Sequence, residues 1–258
     1  MAETTAPSIY KPVWVDLSSG DAAASRAFYA RLFGWRVDVE PDPQYGGYAQ
    51  ARLGDKVVAG IGPKMSPDAP TAWSIYLGTS DIAAMMADVQ AAGGTVVVPP
   101  MQVGDQGSMA VFRDPAGAFL SAWQPSAMGG FTSGPAGSFG WAELNARGLD
   151  KDVAFYTRAF GWQTRTSPMG EGQPPYVEFL AAGESIAGAT EMNPMVPPEV
   201  PSYWLVYFSV DDVDASFATA ISGGAREMLG PTDFAGGRFA ILADPQGAAF
   251  GLLKTTPR

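Results

Sequence analysis

The chain has 258 residues, 47% of them hydrophobic, with 26 acidic against 16 basic side chains and a net charge of −10. That is material for one large domain or two ordinary ones with a real core, and it shows no Lys/Arg cluster of the kind that nucleic acid requires. The chain contains no cysteine and no histidine, which excludes disulfides, thiolate chemistry, Ser-His-Asp and Cys-His catalysis and every metal site built on imidazole.

Residues 1–11 read as a polar arm without a signal-peptide pattern, and no apolar run approaches the ~20 residues of a membrane span. A cytoplasmic protein without a membrane partner is the expectation. The first strand is expected from about Val13 to Ser18, with Val13, Val15 and Leu17 on one face and Trp14, Asp16 and Ser18 on the other. A helix follows from Asp21 or Ala22, carries Phe28 and Leu32 on one face, and stops at Gly34. Two strands, 48–52 and 57–61, flank Gly54-Asp55. After a Pro-rich connection, 73–77 reads as a strand. Asp81 caps a helix that stops at Gly93-Gly94. Residues 95–98 read as a strand or the start of one. Strands 109–112 and 118–123 flank Asp114-Pro115-Ala116-Gly117, a turn in which Pro fixes φ and Gly accepts a positive φ.

The same order then repeats. Trp141 opens a strand, Phe155-Tyr156 sit on a helix ending at Gly161, and Asp212 caps a helix ending at Gly223-Gly224. Phe239–Leu242 and Ala248–Leu253 flank Asp244-Pro245-Gln246-Gly247. Tyr48 matches Tyr176, and Ala59-Gly60 matches Ala187-Gly188. The chain is therefore a duplication. Each half holds two βαβββ modules: a first domain at 12–124, a Gly/Ser/Pro-rich linker at 125–138 and a second domain at 139–255.

The motifs Asp21…Phe28-Tyr29…Phe33-Gly34-Trp35, Asp81-Ile-Ala-Ala…Gly93-Gly94 and Asp114-Pro-Ala-Gly, with their second-half partners, resemble the vicinal oxygen chelate superfamily, the glyoxalase/bleomycin resistance/dioxygenase fold. Within it the chain is most similar to two-domain actinobacterial proteins of glyoxalase-like or hydroxylase type. The resemblance implies an α+β fold in which four modules form two domains with curved, cup-shaped mixed sheets. It also implies where metal ligands would stand. These are the positions seven residues before a helix-capping Asp and seven after the Asp of Asp-Pro-x-Gly. Here they hold Trp14, Ser74, Trp141, Leu205, Ser121 and Gly251, none of which is a His, Glu or Asp. No metal and no cofactor is expected.

Period two then gives the cup lining. Asp16 and Glu143 are the candidate catalytic carboxylates. Trp14, Ser74, Tyr76, Phe119, Ser121, Trp123, Trp141 and Tyr207 are the candidate substrate contacts, with Trp14 and Trp141 equally readable as filler for the ligand positions. A mid-strand carboxylate on an inward face is costly unless paired, so it serves some purpose. Two readings stay open. One is a metal-independent enzyme acting on a small aromatic or polyketide-like molecule by carboxylate acid/base chemistry of isomerisation, enolisation or hydroxylation type. The other is a non-catalytic protein that sequesters a drug or metabolite in the manner of bleomycin resistance. The partner in both is a small organic molecule, and the protein is a monomer or homodimer.

Overall fold

The structure is a computed structural model that describes residues 10–169, 172 and 174–256. The expected polar arm lies outside the described residues up to position 9. Four modules follow one another. The first comprises β1 (Pro12–Ser19), α1 (Ala22–Phe33), β2 (Arg36–Val39), β3 (Ala49–Leu53) and β4 (Lys56–Pro63). The second is β5 (Ala72–Gly78), α2 (Ile82–Ala91), β6 (Thr95–Val103), β7 (Gly107–Arg113) and β8 (Phe119–Pro125). The third is β9 (Phe139–Ala146), α3 (Leu149–Phe160), β10 (Gln163–Ser167), β11 (Tyr176–Ala181) and β12 (Glu184–Glu191). The fourth is β13 (Tyr203–Ser209), α4 (Val213–Ser222), β14 (Arg226–Phe234), β15 (Gly237–Ala243) and β16 (Ala249–Thr255).

The strands form two open, mixed sheets in the orders β2-β3-β4-β1-β5-β8-β7-β6 and β10-β11-β12-β9-β13-β16-β15-β14. The α+β class and the duplication are as the sequence implies. Parallel pairing of β1 with β4 sets Asp16 opposite Gly60 and Ser18 opposite Gly62, and β12 with β9 repeats it with Gly188 opposite Glu143.

Helix ends follow local chemistry. Asp21, Asp81 and Asp212 each accept a hydrogen bond from the backbone N–H three residues on, at 3.0, 2.9 and 2.9 Å, which satisfies one of the donors a helix leaves open. Helix α3 differs. Gly148 precedes it in a left-handed conformation with no side chain to cap, and the Glu191 carboxylate accepts from Gly148 N and Leu149 N instead.

Two strands carry prolines within them. Strand β6 continues through Pro99-Pro100 to Val103, and β14 through Pro231 to Phe234. The register of each slips beside the prolines, between Val98 and Met101 and between Leu229 and Thr232. A bulge leaves the residue there without a ladder hydrogen bond to give, and so tolerates proline.

The chain clusters into two compact units, each taking one module from either half. One gathers Val15–Ser74, Phe131–Trp141 and the chain from Leu205 onward. In it Phe28 meets Phe250 edge-on at 6.1 Å, Phe33 meets Phe208 at 4.9 Å and Trp73 meets Phe208 at 4.9 Å. The other gathers the chain up to Trp14, Ile75–Gly130 and Ala142–Trp204. In it Tyr156 stacks on Trp162 at 5.7 Å, and Phe112 packs on Phe160 at 5.8 Å. Burial of such rings is the main favourable term in each core.

The Gly/Ser/Pro-rich segment after β8 is held by hydrogen bonds along its length. Ser126 N and Met128 N donate to Gln106 O, and Thr132 N donates to Val57 O. Gly137 O accepts from Trp35 Nε1 at 2.7 Å.

Candidate functional site

The Asp-Pro-x-Gly turns are structural anchors. Asp114 Oδ1 accepts from Ala116 N and Ala118 N, and its Oδ2 accepts from the Tyr156 hydroxyl at 2.7 Å. Tyr156 in turn accepts from Trp204 Nε1 at 2.8 Å. Asp244 repeats this with Gln246 N, Ala248 N and the Tyr29 hydroxyl at 3.0 Å, while Trp73 Nε1 donates to Tyr29 at 2.9 Å. Burial raises the carboxyls of Asp114 and Asp244 above the ordinary range, against the hydrogen bonds that lower them.

The candidate carboxylates stand elsewhere, on the strand faces turned away from these anchors. In the first module, register makes a row Asp16–Gly60–Gln50–Asp38 across β1, β4, β3 and β2. Asp16 Oδ2 accepts a hydrogen bond from the Tyr48 hydroxyl at 3.1 Å. In the third module the row is Glu143–Gly188–Glu178–Arg165, with Arg165 paired to Glu178. In that unit the Tyr203 phenol is pushed up first by burial and then by the Glu143 carboxylate. Asn145, two residues from Glu143 on the same strand face, keeps a buried Nδ2 with no hydrogen-bond partner.

The remaining candidates divide by exposure. Trp14, Tyr76, Ser121, Trp123 and Tyr207 are buried, Ser74 and Trp141 are half-buried, and Phe119 is 52% exposed. Trp123 is closed in by its own surroundings. Its Nε1 donates to Met128 O at 3.2 Å, and a β-carbon on Gly107 would come within 2.7 Å of its ring. Tyr207 lies flat against Gly251, where a β-carbon would stand 2.0 Å from the ring.

A cavity of about 620 Å³ opens at the N-terminus of α3, between Leu149, Val153, Thr164, Thr166, Val177 and Glu191. It lies on the opposite strand face from Glu143, because Val177 and Glu178 alternate along β11. The cavity and the candidate carboxylates are therefore separate features.

Tyr48, Gly60 and Glu178 were not readable as site residues. The match of Tyr48 with Tyr176 and of Gly60 with Gly188 marked them as repeated. Only the pairing of β4 beside β1, and β12 beside β9, sets them next to Asp16 and Glu143.

The profile of the Glyoxalase/Bleomycin resistance protein/Dioxygenase superfamily matches residues 11–121 and 138–252. The chain belongs to this superfamily. It is similar to CFP32 of Mycobacterium tuberculosis, a provisionally named glyoxylase, with 39% identity over 96% of this chain and 95% of that protein. It is also similar to the anthracycline biosynthesis protein DnrV of Streptomyces peucetius, with 35% identity over 94% of this chain and 92% of that protein. Among solved structures, the Mn(II)-bound glyoxalase from Novosphingobium aromaticivorans covers 95% of this chain with a TM-score of 0.65 at 18% identity, and 81% of its own chain is covered. That likeness is one of fold.

A metal of the kind some superfamily members hold does not fit the residues present. Trp14, Trp141, Leu205 and Gly251 offer no side-chain ligand, and the ring of Tyr207 takes the space over Gly251. Among the described residues no group of three or more His, Cys, Asp or Glu is placed to hold a metal ion. Among them, too, no helix is long and apolar enough to cross a membrane.

Proposed function

We propose that this superfamily member binds a small aromatic or polyketide-like molecule on the strand faces bearing Asp16 and Glu143 and acts on it by metal-independent proton transfer. The observation that carries this reading is the carboxylate of Asp16, placed mid-strand, hydrogen-bonded to Tyr48 and facing a neighbouring strand stripped to glycine. Glu143 beside Gly188, with the unpartnered Asn145 Nδ2 on the same face, supports it in the other unit. The relative named for anthracycline biosynthesis supports a polyketide-like molecule as the substrate class.

With neither His nor Cys in the chain, the carboxylates are the groups left for general acid/base work near neutral pH. Asp16 takes a proton from a carbon next to a carbonyl, the electron pair moves onto the carbonyl oxygen, and the resulting enolate takes the proton back from Asp16 at the same or a conjugated carbon. No oxidant enters this balance.

The test begins with native mass spectrometry of the protein incubated with a cell extract, to identify what it retains or converts. Turnover of that compound is then compared in wild type, Asp16→Asn and Glu143→Gln. A group that transfers the proton loses about two orders of magnitude or more in turnover when neutralised, with binding kept. Unchanged turnover in both variants rules out the acid/base assignment. A compound that is retained and always released unchanged makes the protein a sequestering one.

A further inference from the structure

Tyr48 lies in a space made for it. A β-carbon on Gly60 would stand 1.8 Å from the Tyr48 hydroxyl oxygen, and one on Gly62 would stand 2.7 Å from its ring. The two glycines thus form a floor under an aromatic ring whose hydroxyl reaches Asp16. The residue follows Gly46 and Gly47, both left-handed at φ 60° and 83°, and is only half-buried. A half-buried tyrosine can change its χ1 rotamer without moving its strand. The other unit again sets a phenol near a carboxylate, Tyr203 near Glu143, beside Gly188.

We infer that the ligand of the first module's face is a phenol, and that Tyr48 holds its place from within the chain. A phenolic ring displaces Tyr48 from the glycine floor and donates its own hydroxyl to Asp16. One phenol–carboxylate hydrogen bond is exchanged for another, so the carboxylate is never left without that donor. A ring that lacks a hydroxyl has to strip Asp16 of the bond and gives nothing back. This rests on the reading that the face binds a small aromatic molecule, and it names the group that is recognised.

The experiment uses 2-naphthol and its methyl ether, 2-methoxynaphthalene, titrated by calorimetry into wild type, Tyr48→Ala and the double variant Tyr48→Ala/Asp16→Asn. Removing an occupant that fills the floor most of the time tightens phenol binding by about tenfold or more. Both probes must displace Tyr48, so we expect that gain for each in Tyr48→Ala, tighter binding of 2-naphthol than of the ether in wild type and in Tyr48→Ala, and loss of that difference in the double variant. In wild type with ¹³C-labelled tyrosine rings, bound 2-naphthol should shift the Tyr48 resonance, a readout independent of variant stability. Weaker or unchanged 2-naphthol binding in Tyr48→Ala, or equal affinities for the two probes there, overturns the inference while leaving a ring-binding protein. Failure of both probes to bind any form overturns the inference and the ring-binding reading together.

Discussion

The hydroxyl of Tyr29 donates to Asp244 at 3.0 Å across 215 positions of sequence, and Tyr156 repeats the bond to Asp114 at 2.7 Å. Each tyrosine also accepts from a tryptophan, Trp73 or Trp204. Each bond therefore ties a helix of one module to a turn of another, and both ends are buried.

Tyr29→Phe and Tyr156→Phe each remove one hydroxyl that serves two buried partners. We expect each to lower stability by roughly 1–3 kcal/mol. Chemical denaturation at pH 7 measures this. A loss below about 0.5 kcal/mol in both would mean that the bonds add nothing beyond ring packing.

Asp152 is buried on the first turn of α3, with its carboxylate accepting from Ser202 Oγ at 2.7 Å. Burial above all, then the charges of Asp114 and Glu191, lifts it from 3.8 to about 6, while Ser202 lowers it. The folded state thus holds a proton that the unfolded state has already released between about pH 4 and 6. Stability from this group is present below that window and falls as pH rises through it. Asp114 and Asp244 shift in the same direction and add to the slope. Asp152→Asn should flatten it, so its melting temperature relative to wild type should be higher at pH 7.5 than at pH 4.5. An equal difference at both values contradicts the assignment.

Gly60 and Gly251 both lie under a tyrosine, and a methyl group at either would strike the ring, at 1.8 and 2.0 Å. Their neighbours differ in freedom. Tyr207 is 4% exposed and has nowhere to go, so Gly251→Ala should cost about 1–3 kcal/mol as overpacking. Tyr48 is half-buried with solvent beside its ring, so Gly60→Ala should cost less by about 1 kcal/mol. Paired denaturation curves decide it, and a larger cost at Gly60 reverses the argument.

Trp123→Phe deletes the Nε1 donor to Met128 O and should free the strap of residues 126–128 from the 105–106 loop. We expect faster amide hydrogen exchange at Ser126 and Met128, whose N–H groups donate to Gln106 O, with exchange in β1 unchanged. Equal protection in variant and wild type would show that the backbone bonds alone hold the strap.

The sequence was most legible where chemistry is local. Asp21, Asp81 and Asp212 announced helix starts, Gly34 and Gly161 announced helix ends, and the Asp-Pro-x-Gly tetrads announced turns. It was least legible where distant strands set the outcome. Residues 95–98 read as a strand or the start of one and 226–234 do not read as a strand, since a proline cannot donate to a ladder, and only pairing with β7 and β15 shows the bulges that admit Pro99-Pro100 and Pro231. Strand β2, with four residues of which three are exposed, carried too little pattern to be read. The alternation along β1 and β9 gave Asp16 and Glu143 the same face. Their partners Tyr48 and Tyr203, and the glycines between, depended on which strands lie side by side, which composition and period do not encode.

The two anchors also fix an order of assembly. Asp114 and Tyr156 lie 42 positions apart, and the unit they join has its parts once the chain has been made as far as Trp204. Tyr29 waits for Asp244, 215 positions later, and the first module stays unfinished until nearly the whole chain has been made. Loop closure over that span is slow, and the aromatic face of α1 is exposed meanwhile. Early termination or a slow C-terminal stretch should therefore harm the first module of the protein before the second.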